Sequence, residues 1–519
     1  MFFRGSREEV EMKLRPRARA AAPKRRHAWQ ILEAPAEEHT EKRSPRQQRG
    51  GRTRQRAWQV LEAPTGELPA VQPAPEGAIG PELPDEATVH MVLDLVTRIG
   101  EVQMANGAGA SDVTATILTL TRALGLPRCE VDVIFTSVTV SCLRGSDLPP
   151  VTVLRVVRSR SLDYTRLSET ERLVQRLIHN RISTEDAYTE LHRLTTAKHP
   201  YPRWVSTLAW GGMAAFITLL LGGWGTWAPI TAFLISSVVD RVGRVLNRYS
   251  LPFFFQQVAG GFVATLSAMV IVNLDFLELQ RPTLVVAAAL TVLLSGLSTV
   301  SAVQDAITGY YVTAAGRMLE VVLMSAGLIT GVAAGISIAI QFGATRAPDP
   351  IAPSTAVGEL HIMMFAGTGA AACFALASYS KIRPLLVAAV AGAVGATGYG
   401  ILSVLGYNPI IGAAFATTLV GLGGGVLARR LKVTPLVVAV SGITPLLPGF
   451  ATYRGMSELI DNGTITGLMT AAAIGLALAA GVVLGEFLAQ PVRTGLSRLE
   501  RKLAGPRMAG PLNTGRPLE

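Results

Sequence analysis

SGLSTVSAVQDAITGYYVTAAGRMLE, residues 295–320, lies between two long apolar runs and yet carries Gln304, Asp305, Arg317 and Glu320. Ionisable side chains at membrane depth cost roughly 2.5–3.5 kcal/mol each on insertion scales, so they face a protein interior or a water-filled cavity. Thr308, Gly309, Thr313 and Gly316 argue against one unbroken helix here. Two readings stand side by side. One is a broken, polar segment of the kind from which secondary transporters build sites. The other is a loop joining two ordinary helices.

The flanks favour a membrane protein. The chain has 519 residues, 49% hydrophobic and 16% charged, with mean hydropathy +0.36. Soluble domains average about 25% charged residues. Charge is concentrated in the first two hundred residues, which predicts a soluble region followed by an integral membrane region. Ten apolar runs follow, at about 204–221, 227–239, 252–272, 282–303, 318–342, 360–378, 384–404, 409–428, 434–450 and 463–488. Most approach the roughly 20 residues that a bilayer requires. The second and ninth are short and are expected to be tilted, broken or re-entrant.

Lys and Arg set the orientation. With the N-terminus inside, inner connections hold Arg241, Arg244, Arg248, Arg317, Lys381, Arg383, Arg429, Arg430 and Lys432. Outer connections hold Arg281, Arg346 and Arg454. The C-terminal Arg493, Arg498, Arg501 and Lys502 also fall inside, so both termini are expected in the cytoplasm. A weak repeat pairs Phe262–Leu266 with Phe415–Leu419, Ser295–Ser298 with Ser441–Thr444, and Gly331–Gly335 with Gly481–Gly485, in the same order. Five runs per half, an odd number, make the halves inverted in the membrane. In the second half, Thr444, Pro445, Pro448 and Gly449 interrupt run nine, before Tyr453 and Arg454. They are the counterpart of the Gln304–Arg317 stretch.

Upstream, residues 86–200 read as a small cytosolic α/β domain. Helices are predicted over 89–103 and from Ser111 or Asp112, as cap, to 124. Strands are predicted at 130–135, 137–140 and 151–157, then helices at 168–180 and 184–196. Asp112, Asp132, His179 and His192 are its titratable candidates, but no nucleophile elbow, phosphate loop or metal spacing joins them. Asp112 reads as a cap and the histidines as surface residues. Cys129 and Cys142 flank the strand pair, and a cytosolic domain disfavours their disulfide. Cys373 reads as a small hydrophobe in an apolar run.

Residues 1–85 are rich in Arg, Pro, Glu and Gln, a composition that predicts a disordered basic tail. The octet at Ala28–Pro35 recurs at Ala57–Pro64. A duplicated piece of tail is the simpler account, and a paired short binding motif is the other. The net charge of +11 points to anionic lipid at the basic tails rather than to nucleic acid.

These residues carry a resemblance. Leu251-Pro252 through Phe254-Phe255-Gln256 to Gly260-Gly261-Phe262 is one piece. Gln304-Asp305 through Ile307-Thr308-Gly309 to Thr313 and Arg317 is another. Gly442-Ile443-Thr444-Pro445 to Pro448-Gly449, then Tyr453-Arg454-Gly455-Met456, and Gly481–Glu486 complete it. Over about residues 87–488 the chain resembles the bacterial threonine/serine exporter family, and the Arg-rich tail departs from that pattern. The resemblance implies a cytosolic N-terminal domain, about ten spans, and export of small hydroxy amino acids driven by the proton gradient or the membrane potential.

The expected architecture is therefore mostly α. It is a polytopic membrane protein with residues 201–345 and 359–490 as two inverted five-helix halves, the α/β domain before them and a basic tail at 491–519. A zwitterionic substrate needs a cation for its carboxylate and an anion or carbonyls for its ammonium. Arg317 and Arg454 suit the first role. Asp305, Glu320 and Glu486 suit the second, or carry a coupling proton. Gln256, Ser298 and Thr444 suit a substrate hydroxyl, and Gln304, Thr308 and Tyr453 complete the polar pathway. Arg317 and Glu486 also sit where anchoring at the interface would explain them. No cofactor or metal is expected, and the sequence leaves the oligomeric state open. A channel for small polar solutes and a membrane-anchored enzyme are the competing classes.

Overall fold

A computed structural model of the chain describes residues 85–503, apart from 145–147, 159–161, 224, 274–281, 295, 344–356 and 432. The chain divides into two units, 1–79 and 80–519. The first unit, with the expected disordered tail and both octets, lies outside the described residues. So do Arg281, Arg346 and Lys432, and the end of the C-terminal tail.

The second unit opens with α1 (Glu86–Ala105) and α2 (Ala110–Ala123). The antiparallel strands β1 (Cys129–Ile134), β2 (Ser137–Cys142) and β3 (Val151–Val156) follow, then α3 (Tyr164–Ile178) and α4 (Thr184–Thr196). Asp85 caps α1 by accepting the Thr88 N–H. The cap of α2 is Gly109, not Ser111 or Asp112, and its ψ of 155° is extended. Asp112 therefore sits in the first turn, free to reach another element. The strands pair in register, Cys129 opposite Cys142 and Ser137 opposite Val156. Period-2 alternation drives Val138, Val140 and Cys142 into a core with Val92, Val96, Ile117 and Leu173. Both Cys129 and Cys142 are free thiols. The two-residue turn between β1 and β2 holds Phe135 at φ 52°, a left-handed conformation that is unusual for a bulky residue.

Twelve helices follow. They are α5 (Arg203–Leu220), α6 (Trp227–Arg248), α7 (Phe253–Asn273), α8 (Pro282–Leu293), α9 (Gly296–Ile307) and α10 (Tyr311–Gln341). Then come α11 (Leu360–Ala377), α12 (Ile382–Val404), α13 (Pro409–Leu431), α14 (Pro435–Ile443), α15 (Gly449–Asn462) and α16 (Thr466–Leu503). Two of the ten expected runs are each split in two, 282–303 as α8 and α9 and 434–450 as α14 and α15.

Among the described residues, six helices, within 253–271, 311–341, 360–377, 382–404, 409–427 and 466–489, are long and apolar enough to cross a membrane. Two bent pairs raise the number to eight: 283–293 with 298–307 at 55°, and 435–446 with 449–459 at 47°. By this measure the expected ten is not reached, because α5 and α6 fall short. α6 also corrects the second short run: it continues unbroken to Arg248, its last turns made polar by Asp240, Arg241 and Arg244. Run nine is broken, as its prolines imply. Pro445 lies in the 3-10 turn Thr444–Leu446, and Pro448 precedes α15.

The helices pack through glycine. Gly331 and Gly335 of α10 sit against the α7 backbone at Val258 and Phe262. Gly481 and Gly485 of α16 sit against the α13 backbone at Ala414 and Thr418. These glycines are the ones paired by the sequence repeat, and they let each helix pair approach closely. α5 with α6 and α11 with α12 likewise pack together.

Candidate functional site

The 295–320 stretch is two helices joined by a turn. α9 ends at Ile307, where Thr308 Oγ1 bonds back to the Gln304 carbonyl at 2.8 Å, and Gly309 takes φ 93° to reverse the chain into α10. The turn brings Asp305 and Arg317 together, 2.9 Å apart and 0% and 3% exposed.

The partners that complete this cluster come from the α/β domain. Asp305 Oδ1 accepts the Ala110 N–H at 2.7 Å, the first N–H of α2. A helix N-terminus favours a negative charge, so Ala110 is a fitting donor. Arg317 Nη2 donates to the Ala108 carbonyl at 3.1 Å. Gln304 Nε2 donates to Asp112 Oδ2 at 3.0 Å, and Ser301 Oγ donates to the Gly107 carbonyl at 2.9 Å. Desolvation raises the Asp112 carboxyl above its ordinary range, opposed by the Gln304 hydrogen bond. Nearby, Thr313 Oγ1 donates to the Val133 carbonyl at 2.9 Å and accepts the Phe135 N–H at 3.0 Å. A Cβ on Gly316 would come 2.7 Å from the Phe135 ring, so the hairpin tip rests on that glycine.

A second attachment joins α3 to the ends of α11 and α14. The Tyr164 N–H bonds the Ser378 carbonyl at 2.9 Å, and Thr165 Oγ1 donates to the Tyr379 carbonyl at 2.6 Å. Thr434, before α14, donates to Glu171 at 2.6 Å and lies 3.2 Å from Ser168 Oγ. The Tyr164 ring is 1% exposed, edge-on to Phe374 at 6.2 Å. His199 stacks on Tyr379 and meets buried Asp163 at 2.7 Å. The α5 start joins the same face, where Ser206 bonds the Ala377 carbonyl and Arg244 bonds the Arg203 carbonyl. The connections at 308–310, 378–381 and 433–434 thus share one face with the α/β domain. They are the connections that the Lys and Arg count grouped as inner.

Further into the helices the two breaks meet. Gly449, at the start of α15, packs on Thr291 and on the Ala287 carbonyl, one turn before α8 ends. Gln257 of α7 reaches the end of α8, donating to the Leu293 carbonyl at 3.1 Å. Its Oε1 has no hydrogen-bond partner among the described residues, and Gln257 is 8% exposed.

The expected residues therefore divide. Gln304, Asp305, Thr308 and Arg317 come together at the docked face. Ser298 is half-buried on α9, Glu320 and Glu486 are half-buried on α10 and α16, and Thr444 and Tyr453 are buried beside the second break. Thr444 Oγ1 bonds back to the Val440 carbonyl at 2.8 Å. Two do not join. Gln256 turns away to the Leu251 carbonyl at 2.8 Å, and Arg454 pairs locally with Glu458 at 2.9 Å while half open to solvent. Sequence reading missed Gln257. Its helical phase, shared with Gly261 and Thr265, was the signal that set it apart from Gln256.

A bundle with two interrupted helices meeting inside it, and an α/β domain seated on one face, has the build of a membrane transport protein. The chain belongs to the threonine/serine exporter family. A threonine/serine exporter family model (ThrE) matches residues 94–339, and a second, "Threonine/Serine exporter, ThrE", matches 363–488. It is similar to a probable threonine/serine exporter of Mycobacterium tuberculosis, 38% identical over 439 residues that cover 80% of this chain and 79% of that one. It is similar to a threonine/serine exporter of Corynebacterium glutamicum, 34% identical over 431 residues, 82% of this chain and 87% of that one. A probable succinate transporter subunit of Klebsiella aerogenes, YjjP, is 22% identical over 249 residues, 48% of this chain and 94% of its own length. No solved structure matches.

Proposed function

We propose that the chain exports threonine and serine across the bacterial plasma membrane as a secondary transporter, driven by the proton gradient or the membrane potential. The observation that carries the reading is the meeting of the two helix breaks at Gly449 and Thr291, with the Gln257 amide beside them. Interrupted helices from two halves expose backbone dipoles where a small zwitterion needs them. The names of the two long relatives supply the substrate class.

In this reading ten spans form two inverted halves, at 201–345 and 359–490, with α5 and α6 as the first two spans. The split between the family models and the half-length of the succinate-transporter relative support that division. The α/β domain and both termini are cytoplasmic, and anionic lipid meets the basic tails. Substrate passes Gln304, Asp305 and Arg317 at the inner face and reaches Gln257, Ser298 and Thr444 near the breaks. Glu320 and Glu486 are the carboxylates available for coupling.

The test is movement of labelled threonine or serine in inverted membrane vesicles. Concentrative uptake that collapses with an ionophore supports the proposal. Equilibration without concentration would make the protein a channel, and no movement with chemical conversion of the amino acid would make it an enzyme.

A further inference from the structure

The α/β domain holds both halves of the helical region at once, and we propose that it is the inner gate, releasing residues 301–317 whenever the inner side opens. This rests on the transport reading above. Halves that alternate access move against each other. A packed domain bonded to Asp305 and Arg317 in one half, and to Ser378, Tyr379 and Thr434 in the other, prevents the inner ends from parting.

The two attachments are unlike. Towards the second half, Tyr164 is sunk in the core with Phe374, so leaving means extracting an aromatic ring. Towards the first half, the loop Gly107–Ala110 offers only backbone groups, the Gly107 and Ala108 carbonyls and the Ala110 N–H, and beside it stand one Asp112–Gln304 hydrogen bond and a half-buried hairpin tip, Phe135, that rests on the surface of Gly316 without entering the helical core. No side chain of that loop is threaded between helices. A Cβ on Gly109 would already press on Gln304 at 3.2 Å and Asp305 at 3.3 Å, so the fit needs a bare backbone. Release on this side also uncovers a buried carboxylate and guanidinium, whose hydration offsets the hydrogen bonds lost. Once uncovered, Asp305 and Arg317 present the charges that complement an amino acid's ammonium and carboxylate. The domain thus rides with the second half and parts from the first.

The test uses the full chain in inverted vesicles, with Cys129, Cys142 and Cys373 replaced by alanine. A disulfide between Gly109→Cys and Gln304→Cys latches the loop to α9. Oxidation should lower threonine transport at least tenfold, and reductant should restore it. Undiminished transport by verified cross-linked protein overturns the gate. Vesicles of the unmodified protein that move no threonine count against the transport reading instead. A second arm loosens the latch. Ala110→Pro deletes the N–H given to Asp305 at a first-turn position that accepts proline, after a residue already at ψ 155°. Losing a hydrogen bond to a charge shifts docking on the order of tenfold or more. Maleimide labelling of Ala108→Cys, 6% exposed as alanine, should accelerate by that factor. Equal labelling rates overturn the proposal. If the reduced double-cysteine protein is inactive, Ala108→Cys alone decides: labelling should quicken severalfold when threonine is being transported, and an unchanged rate overturns the gate.

Discussion

Gly449 lies so close to Thr291 that a Cβ on the glycine would overlap the threonine hydroxyl and come within 2.8 Å of the Ala287 carbonyl. Two residues 158 positions apart thereby fix how the two helix breaks meet. The glycine is needed for space, since Gly449 opens α15 in ordinary helical conformation. Gly449→Ala should displace α15 and cost on the order of 1–3 kcal/mol of overpacking, with transport falling at least tenfold. Thr291→Ala in the same protein should return part of that loss. Thermal stability in detergent and vesicle transport check it, and a fully additive double variant would refute the contact.

Gln256 and Gln257 are neighbours with opposite surroundings. Gln257→Ala should reduce transport at least tenfold at normal membrane levels, because it removes a buried amide at the end of α8. Gln256→Ala should leave transport within about twofold, since its hydrogen bond to the Leu251 carbonyl is local and surface changes of this kind are small. The reverse order of effects would move the pathway to the other face of α7.

Asp305 and Arg317 should be energetically coupled. Removing one partner of a buried pair costs about 3–5 kcal/mol, because the other charge is left uncompensated. Asp305→Ala and Arg317→Ala should each loosen the α/β domain, read as faster proteolysis between Ala197 and Arg203. The double variant should cost less than the sum. Strict additivity would mean that the pair contributes nothing beyond its separate bonds.

Cys129 should be inert. Burial, with Cys142 facing it, pushes its thiol up to about 12, against a hydrogen bond from Thr121. A raised value means fewer thiolates at neutral pH, and the thiolate is the nucleophile. Alkylation at pH 7.4 should run at least a hundredfold slower than in unfolded protein and rise with pH. Peptide mass spectrometry after timed iodoacetamide exposure measures it, and rapid labelling of folded protein would contradict the raised thiol.

Orientation is checked by cysteines on the two faces. Asn247→Cys should react with an impermeant maleimide only in inverted vesicles, and Tyr407→Cys only in intact cells. Labelling of position 247 from outside would reverse the assignment.

Local chemistry made much of this legible in sequence. Apolar runs became helices because each run satisfies its own backbone hydrogen bonds, and Gly309, Pro445 and Pro448 broke them where glycine and proline must. The Lys and Arg asymmetry grouped connections that do share a face with the α/β domain. Other features depend on distant partners, and only tertiary structure decided them. Asp305 read as a carboxylate in an apolar setting, but its second partner, Ala110, is a backbone N–H 195 positions away that no side-chain pattern announces. Arg454 looked equivalent to Arg317, yet one finds Glu458 on its own helix and the other a buried carboxylate. Composition says that a charge needs a partner. Which partner it meets is fixed by packing, because helices far apart in the chain are brought into contact by glycine-sized surfaces whose fit is a property of both.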